Sequence, residues 1–293
     1  RVQVSITHQA GVAIATAVLE IEDSAELADP PAGVRVPERP SAANKGSFGT
    51  VVVLAGSLGL TGAAYLSAMG AARAGAGKVR LLAAESIYPI LAAKCVEVMV
   101  APLPEVAPGA VGHAEADLVL RHFEDAQAGV VGPGLGRDHS TWRLIFEVVA
   151  RAGCPLVIDA DGLNALAGNR RLLEKLRPDR ILTPHPGEMS RLTGIPVAEI
   201  QAGREAAAAA LAAGSGATVV LKGARTVVAA PDGRLSVDPH SVPALASGGT
   251  GDVLSGVIAG LLAQGLDPFE AAQTGVYVHA AAGRLLSLRL GDS

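Results

Sequence analysis

Short runs rich in β-branched residues recur along residues 50–221, and a glycine-rich or polar segment follows nearly every one of them. The run Thr50–Ala55 is unbroken, which is typical of a parallel strand buried on both faces. Segments with helical spacing separate the runs, so the sequence predicts an α/β fold whose parallel sheet is covered on both faces. The predicted strands are Thr50–Ala55, Lys78–Ala84, Gly129–Val131, Pro155–Asp159, Arg180–Thr183 and Ala217–Leu221.

The chain divides into a tail, residues 1–40, and one domain, residues 41–293. The tail joins a strand-like alternation at Val2–Thr7 to acidic residues and prolines of linker composition. A hairpin is predicted at Thr226–Ala230 and Arg234–Val237, which flank a Pro-Asp-Gly turn. The predicted helices are Thr61–Ala74, Thr141–Ala152, Val197–Ala213, Thr250–Gln264 and Pro268–Ser287.

Composition excludes several classes of protein. The chain is 49% hydrophobic and 18% charged, whereas disorder needs low hydrophobicity and high charge. The net charge of −4 argues against nucleic acid as a partner, and no apolar run reaches the ~18–20 residues of a membrane span. Two cysteines without CxxC spacing exclude a Cys-based zinc site and fit a reducing compartment, so we expect a cytoplasmic protein.

Polar or glycine-rich segments follow five of the predicted strands directly. In a parallel sheet, ligands bind beyond the carboxyl ends of the strands. Any one of these segments could simply form a turn, but five at one edge predict a site large enough for a substrate. The segments are Gly56, Gly132–Gly136, Asp159–Gly162, Thr183–Glu188 and Lys222-Gly223.

The segment Ser247–Asp252 precedes an apolar helix and is the most informative of all. Glycines at a helix start expose backbone N–H groups, and the helix dipole adds about half a positive charge there. Gly249 and Gly251 could thus hold a transferring phosphate while Asp252 accepts a proton from a substrate hydroxyl. An acidic residue that merely favours the helix dipole is the alternative. Neither a P-loop nor GxGxxG occurs in the chain, so another class of phosphoryl-transfer fold is indicated.

The motifs resemble those of a known family. Gly249–Asp252 is similar to the anion-hole motif of the ribokinase-like superfamily, and Thr183–Glu188 resembles its TPNxxE motif, with His185 where Asn is usual. Together with five further segments they resemble the ADP-dependent NAD(P)H-hydrate dehydratase family from about residue 41 to about residue 286. Asn44 departs from the histidine common before Lys-Gly. The further segments are Lys45–Gly49, Thr61–Leu66, Arg73–Gly77, Gly132–Gly136 and Asp159–Leu166.

The resemblance implies a ribokinase-like three-layer α/β/α fold with a central, mostly parallel sheet. It implies a metabolite-repair lyase that dehydrates the (S) epimer of hydrated NADH or NADPH. The ring hydroxyl would be phosphorylated by ADP, and loss of the phosphate would give NAD(P)H and AMP. ADP rather than ATP is expected because of the HPGE segment at 185–188.

The resemblance also assigns roles to residues. Asp252 would be the catalytic base, with Gly249 and Gly251 holding the phosphate. Glu188 would organise Mg²⁺ through water, and Asp159 and Asp161 would line the site. Without the resemblance, other roles are open. Lys222 and Arg225 could be solvated charges on a hairpin, Ala64 and Gly136 could serve packing, and His185 could be a turn or core residue. The residues implied to bind nucleotide are Lys222, Gly223, Ala224, Arg225, Thr226 and Gly251; those implied to bind the hydrate are Ala64, Gly134, Gly136, His185 and Asp252.

Further expectations follow from the family. Relatives often form tetramers, which implies a homotetramer, and some are fused to an epimerase domain, which could lie before Arg1. Of the 35 glycines, 17 lie in the segments named above or just beside them, where we expect backbone to approach two nucleotides closely. Few aromatic residues suggest binding by main-chain amides, although Phe48 and Tyr65 leave stacking open.

Two other functions remain open at this point. A small-molecule kinase of the same superfamily, acting on a vitamin precursor or a sugar, would use the same Asp252 and the same anion hole. His185 and the DADGLNAL segment at 159–166 argue against that kinase. A nucleotide-binding protein without catalysis is the third possibility, and the intact Gly-Thr-Gly-Asp segment argues against it.

Overall fold

Nine strands form the central sheet of the computed structural model, which describes residues 6–9, 12–15 and 27–290. A separate two-stranded ribbon pairs β1 (Ile6–Gln9) with β2 (Val12–Ala15) in antiparallel fashion. Most of the strand predicted at Val2–Thr7 therefore lies outside the described residues. The central sheet contains β3 (Thr50–Leu54), β4 (Lys78–Ala84), β5 (Met99–Leu103), β6 (Ala128–Val131), β7 (Leu156–Ile158), β8 (Arg180–Leu182), β9 (Thr218–Leu221), β10 (Val227–Ala229) and β11 (Leu235–Val237).

The strand order places a crevice in the middle of the sheet. Across the sheet the order is β5-β4-β3-β6-β7-β8-β9-β10-β11. Strands β3 to β9 run parallel, and β10 and β11 add the predicted antiparallel hairpin at one edge. The chain winds away from β3 in one direction and from β6 in the other, so the loops after these two neighbours diverge and open a ligand crevice.

Helices cover both faces of the sheet. They are α1 (Thr61–Arg73), α2 (Tyr88–Lys94), α3 (Ala116–Phe123), α4 (His139–Arg151), α5 (Asp161–Ala167), α6 (Arg170–Leu173), α7 (Pro186–Thr193), α8 (Val197–Ala202), α9 (Arg204–Ser215), α10 (Thr250–Ala263) and α11 (Pro268–Leu290). α1 packs on α10, and α10 packs on α11. Because β6 to β7 runs across the sheet in the opposite sense to β3 to β4, right-handed crossovers place α4 on the face opposite α1. The predicted α/β architecture is confirmed.

The contact between α1 and α10 is unusually close because small residues form it. A Cβ atom on Gly256 would overlap the Ser67 carbonyl oxygen, and one on Gly70 would overlap the Val253 carbonyl oxygen. The hydroxyls of Ser67 and Ser255 lie 3.4 Å apart within this buried contact. The contact fixes the position of α10, and with it the helix start that carries the predicted anion hole.

Several predicted elements differ from those observed. The single helix predicted at Val197–Ala213 is wrong, because the chain breaks at Gly203 (φ −136, ψ 52) into α8 and α9. Strand β5 and helices α2, α3, α5, α6 and α7 had no predicted counterpart. None of the helices among the described residues is long and apolar enough to cross a membrane.

Two glycine-rich segments lie at the wrong end of the sheet to contact ligands. Gly49 precedes β3 and Gly77 precedes β4, so both lie at the amino ends of the strands. A Cβ atom on Gly77 would overlap the Lys45 carbonyl oxygen. Close packing of the two chain segments therefore requires glycine at this position. Asn44 caps the turn at 45–48, where its Oδ1 accepts from the Gly46 N–H at 2.8 Å. The expectation that the glycines of 45–49 and 73–77 approach nucleotides is therefore wrong, and Phe48 lies at this far end too.

The end of the predicted tail runs along α11. The Tyr277 hydroxyl donates to the Ala28 carbonyl oxygen at 2.9 Å. Gln273 donates to the Ala32 carbonyl oxygen at 2.9 Å through its side-chain amide. The boundary between tail and domain at residues 40 and 41 stays a prediction.

Candidate active site

The five strand-end segments meet at one edge of the sheet, as predicted. The Gly56 N–H donates to the Pro133 carbonyl oxygen at 2.8 Å, which joins the loops after β3 and β6. The Lys222 N–H donates to the Pro184 carbonyl oxygen at 2.9 Å, which joins the loops after β8 and β9. The side chains of Lys222 and Asp159 bridge the loops after β9 and β7. The segments thus surround one site.

Helix α10 presents an uncapped start to this site. Gly249 is the N-cap in the left-handed conformation (φ 95), and no side chain caps the helix. The Thr250 hydroxyl donates backwards to the Leu245 carbonyl oxygen at 2.8 Å and fixes the preceding loop. The first N–H groups of a helix have no partner within it, so this start can accept an anion. The start of α10 is thus free of a side-chain cap, and the role of Gly249–Gly251 as an anion hole stays a prediction.

Lys222 lies between this helix start and two buried carboxylates. Its Nζ is 2.7 Å from Oδ1 of Asp159 and 3.8 Å from Oε2 of Glu188. Burial alone would lower the pKa of Lys222, but Asp159 and Glu188 outweigh it and raise the pKa. A Cβ atom on Gly251 would lie 3.3 Å from Nζ, so the ammonium group rests against the first turn of α10. One cation therefore serves both the carboxylates and the anion hole.

Asp252, in the first turn of α10, has the properties of a base held ready near neutral pH. Burial and then the neighbouring Asp159 raise its pKa to about 6, although Lys222 opposes them. A raised pKa makes the carboxylate a stronger proton acceptor while it stays ionised at pH 7. Perturbed groups of this kind cluster at active sites.

Glu188 and His185 stabilise the start of α7 together. The His185 backbone N–H donates to Oε2 of Glu188 at 2.8 Å, and Nδ1 of His185 accepts from the Gly187 N–H at 3.0 Å. Burial raises the pKa of Glu188, while Lys222 opposes the shift. About half of the His185 side chain remains exposed, and its Nε2 lies 3.5 Å from Oε1 of Glu188.

The carboxylates of the site fit a magnesium ion that arrives with a nucleotide. No group of three or more His, Cys, Asp or Glu side chains among the described residues could hold a metal by itself. Magnesium usually keeps several waters and uses only one or two carboxylates plus phosphate oxygens. Glu188 and Asp159 supply two such carboxylates beside the anion hole, and the role of Glu188 stays a prediction.

Asp161 fixes the glycine-rich loop after β6. Its Oδ2 accepts from the Gly136 N–H at 2.8 Å, and its Oδ1 accepts from the Asn164 amide at 3.1 Å. Gly136 has a φ of 83, which a residue with a Cβ adopts only under strain. The loop is thereby presented as bare backbone. Ala64 is fully buried, and a Cβ on Gly56 would approach its methyl within 2.8 Å, so Ala64 packs against the loop after β3 and its predicted contact with the hydrate stays a prediction.

Ala160 occupies a turn position that normally requires glycine. Its φ of 48 and ψ of −113 place it second in a type II′ turn, which the Gly162 N–H closes on the Asp159 carbonyl oxygen at 2.9 Å. We expect Ala160→Gly to raise the free energy of unfolding by about 0.5–1 kcal/mol, because it relieves this strain. Urea unfolding measures the change. Ala209→Gly, in an exposed turn of α9, should lower stability by a similar amount, and a loss of stability in both variants would contradict the argument.

The predicted nucleotide-binding residues form the loop between β9 and β10, which we call the nucleotide loop (residues 222–226). Gly223 has a φ of 140 and Arg225 a φ of 53, so the loop is held in conformations that few residues adopt. Arg204 donates to the Leu221 carbonyl oxygen at 2.8 Å and supports the loop from α9. A cavity of about 470 Å³ borders Ala224 and Arg225 and extends to residues 201–206. The nucleotide loop is therefore held by Arg204 on one side and borders a cavity on the other.

Sequence patterns do not identify two of the residues that the structure places beside the site. Arg204 is one, and His279 on α11 is another. Burial lowers the pKa of His279 to about 4, although hydrogen bonding to the Thr250 backbone opposes the shift. The ring is therefore neutral at pH 7 and supports the start of α10 without adding charge. The sequence around His279 does not show whether this histidine supports a functional site or only packs in the core.

Comparison with known proteins agrees with this geometry. A family model described as NAD(P)H-hydrate dehydratase matches residues 51–291. The bifunctional NAD(P)H-hydrate repair enzyme Nnr of Moorella thermoacetica is 45% identical over 249 residues, which are 85% of this chain and 47% of that protein. This chain therefore spans about half the length of the bifunctional relatives that it matches.

Solved structures confirm the ribokinase-like fold. A ribokinase-like superfamily protein from Enterococcus faecalis matches with a TM-score of 0.74 at 30% identity, over 86% of this chain and 84% of the other. The ADP/ATP-dependent NAD(P)H-hydrate dehydratase of Bacillus subtilis, co-crystallised with ATP and Mg²⁺, matches with a TM-score of 0.72 at 33% identity, over 89% and 91% of the two chains. Because the family model covers residues 51–291 and the Bacillus subtilis dehydratase shares the fold, this chain belongs to the NAD(P)H-hydrate dehydratase family.

Proposed function

We propose that this chain is a metabolite-repair lyase that returns the (S) epimer of hydrated NADH or NADPH to the intact dinucleotide at the expense of ADP. The position of Asp252 carries the proposal. Its carboxylate, with a pKa raised to about 6, lies in the first turn of α10 beside the uncapped Gly249–Gly251 segment. A hydroxyl proton acceptor next to an anion hole is what phosphoryl transfer to an alcohol requires.

The reaction proceeds in two steps. The hydroxyl oxygen of the hydrated ring attacks the β-phosphorus of ADP, the bond from that phosphorus to the bridging oxygen breaks, and AMP leaves. Asp252 takes the hydroxyl proton in this step. The new phosphate ester then leaves the ring carbon as inorganic phosphate with the C–O bonding electrons, and the neighbouring carbon loses a proton as the double bond re-forms. Phosphate is a far better leaving group than water, which explains why a dehydration uses a nucleotide.

The chain's own groups orient this chemistry. The first N–H groups of α10 would hold the oxygens of the transferring phosphoryl group, and Lys222 would offset their charge from the other side. Arg225 supplies a second cation from the nucleotide loop, whose other members, Gly223, Ala224 and Thr226, would contact ADP. Gly134 and Gly136 would let the dinucleotide approach the backbone after β6, and the half-exposed side chain of His185 would contact it.

A magnesium ion bound to ADP would neutralise charge on the diphosphate when present. Glu188 would hold it through water, because its buried carboxylate lies within the cluster around Lys222. A homotetramer and a cytoplasmic location stay predictions from the family resemblance.

A coupled absorbance assay tests the proposal. We expect hydrated NADPH incubated with ADP and Mg²⁺ to regain the absorbance of NADPH at 340 nm, with one AMP and one phosphate formed per turnover. ATP should be run in parallel, because the Bacillus subtilis relative is named ADP/ATP-dependent. Failure with both nucleotides, together with phosphorylation of a vitamin alcohol, would favour the kinase alternative instead.

A further inference from the structure

A buried acid–histidine pair lies directly behind the nucleotide loop and takes no part in the reaction proposed above. Asp238 and His240 follow β11, and only 4% of Asp238 and 8% of His240 are exposed. Nδ1 of His240 is 3.1 Å from Oδ1 of Asp238, and the His240 backbone N–H donates to Oδ2 at 3.2 Å. Both carboxylate oxygens therefore face one histidine and close a tight turn at residues 238–240.

The backbone of this turn holds the nucleotide loop at two points. The Arg225 N–H donates to the His240 carbonyl oxygen at 3.1 Å, and the Asp238 N–H donates to the Thr226 carbonyl oxygen at 2.9 Å. Arg225 has a φ of 53, a left-handed conformation that is unfavourable for a residue with a Cβ. These bonds keep Arg225 in a conformation that it would otherwise leave.

Packing alone does not explain a histidine at position 240. Its ring centroid lies 5.3 Å from that of Tyr277 on α11, and its Nε2 is buried with no hydrogen-bond partner within residues 27–290. A buried polar atom without a partner costs stability, so an apolar side chain would pack at lower cost. What the imidazole adds is the bond from Nδ1 to Asp238, and through it the shape of the turn.

We propose that the Asp238–His240 pair is a positioning element that sets Arg225 in the geometry required to bind the diphosphate of the nucleotide. The inference rests on the proposed function, which makes Arg225 a nucleotide contact. Without the imidazole, the buried Asp238 carboxylate keeps a single partner among the described residues, the backbone N–H of residue 240. The turn then rearranges to hydrate that carboxylate, and the bond that holds Arg225 is lost.

Titration calorimetry with ADP alone tests this role in three variants. His240→Leu removes the bond to Asp238, His240→Asn keeps a side-chain N–H that can reach the same carboxylate, and Ser241→Ala is the exposed neighbour as control. We expect the dissociation constant for ADP to rise about tenfold in H240L and to stay within about threefold in H240N and S241A. The KM for the hydrate should not change in H240L, since no hydrate contact is altered.

Equal ADP affinity in H240L and S241A would overturn the inference, and so would an equal loss in H240L and H240N, which would assign the effect to ring packing. Arg225→Ala separates this from failure of the proposed nucleotide site. If R225A binds ADP as wild type does, the nucleotide site itself is wrong. If R225A weakens ADP binding and H240L does not, only the positioning role fails. Should H240L not fold, Asp238→Asn provides the same readout.

Discussion

Asp252→Asn is expected to lower kcat about 10²–10⁴-fold while ADP binding changes little, the range that general base catalysis contributes. Asparagine keeps the shape of the side chain at the start of α10 but cannot take a proton from the ring hydroxyl. The measurement is the rate of NADPH recovery from its hydrate, alongside calorimetry with ADP. Activity that survives in D252N would show that another group is the base.

The pH dependence of kcat in wild type and in D252N provides the matched control. Because the pKa of Asp252 is about 6, wild-type kcat should fall as pH drops through 6, whereas the residual rate of D252N should lack this step. Stability changes in the opposite sense. The folded state holds the Asp252 proton more tightly than the unfolded chain does, so this group's favourable contribution is complete below about pH 4 and is lost as pH rises through 6. D252N should therefore gain stability over wild type between pH 4 and pH 7.

Lys222→Met is expected to lower the free energy of unfolding by about 3–5 kcal/mol, the cost of leaving a buried charge without its partner. Asp159 and Glu188 would then face each other with no cation between them, since Nζ of Lys222 is the group 2.7 Å from Asp159. ADP binding should weaken as well, because the ammonium group beside Gly251 is lost. Urea unfolding at pH 7 and ADP calorimetry measure the two effects.

A second substitution distinguishes the buried pair from a general loss of packing. Asp159→Asn placed on K222M should restore part of the lost stability, because it removes a carboxylate left without its cation. Lys175→Met, in the exposed turn after α6, should change little. If K222M and K175M unfold at the same urea concentration, the pair at Lys222 contributes nothing and the assignment is wrong.

The sequence was informative where local chemistry decides structure. Continuous β-branched runs identified the strands that carry the site, and the Gly-Thr-Gly segment before an apolar run placed Asp252 at a helix start. The sequence was uninformative where an element is short or lies at an edge of the sheet. Strand β5 contains Pro102, which an edge strand tolerates but which interrupts the pattern expected of a strand. The break at Gly203 was missed because alanine favours helix on both sides of it.

Pairings between distant residues could not be predicted at all. Lys222 and Asp159 are 63 residues apart, and only the order of the parallel strands brings them together. The same holds for His240 behind Arg225, where the hairpin register sets the contact. For Gly49 and Gly77 the expectation of a nucleotide contact was wrong because glycine is needed there for close packing of the chain at the amino ends of the strands.

The close contact of α1 with α10 has a consequence for the folding of the newly synthesised protein. The bond between Ser67 and Ser255 spans 188 residues, so it can form only after β4 to β11, which lie between them in the chain, have been synthesised. In a nascent chain, all strands of the sheet would therefore be synthesised before α10 could pack on α1. Partly folded molecules would lack the start of α10 in its native position, and with it the proposed anion hole. Nucleotide can bind only the finished state, so ADP should act as a selective ligand of fully folded chains and slow their loss to proteolysis.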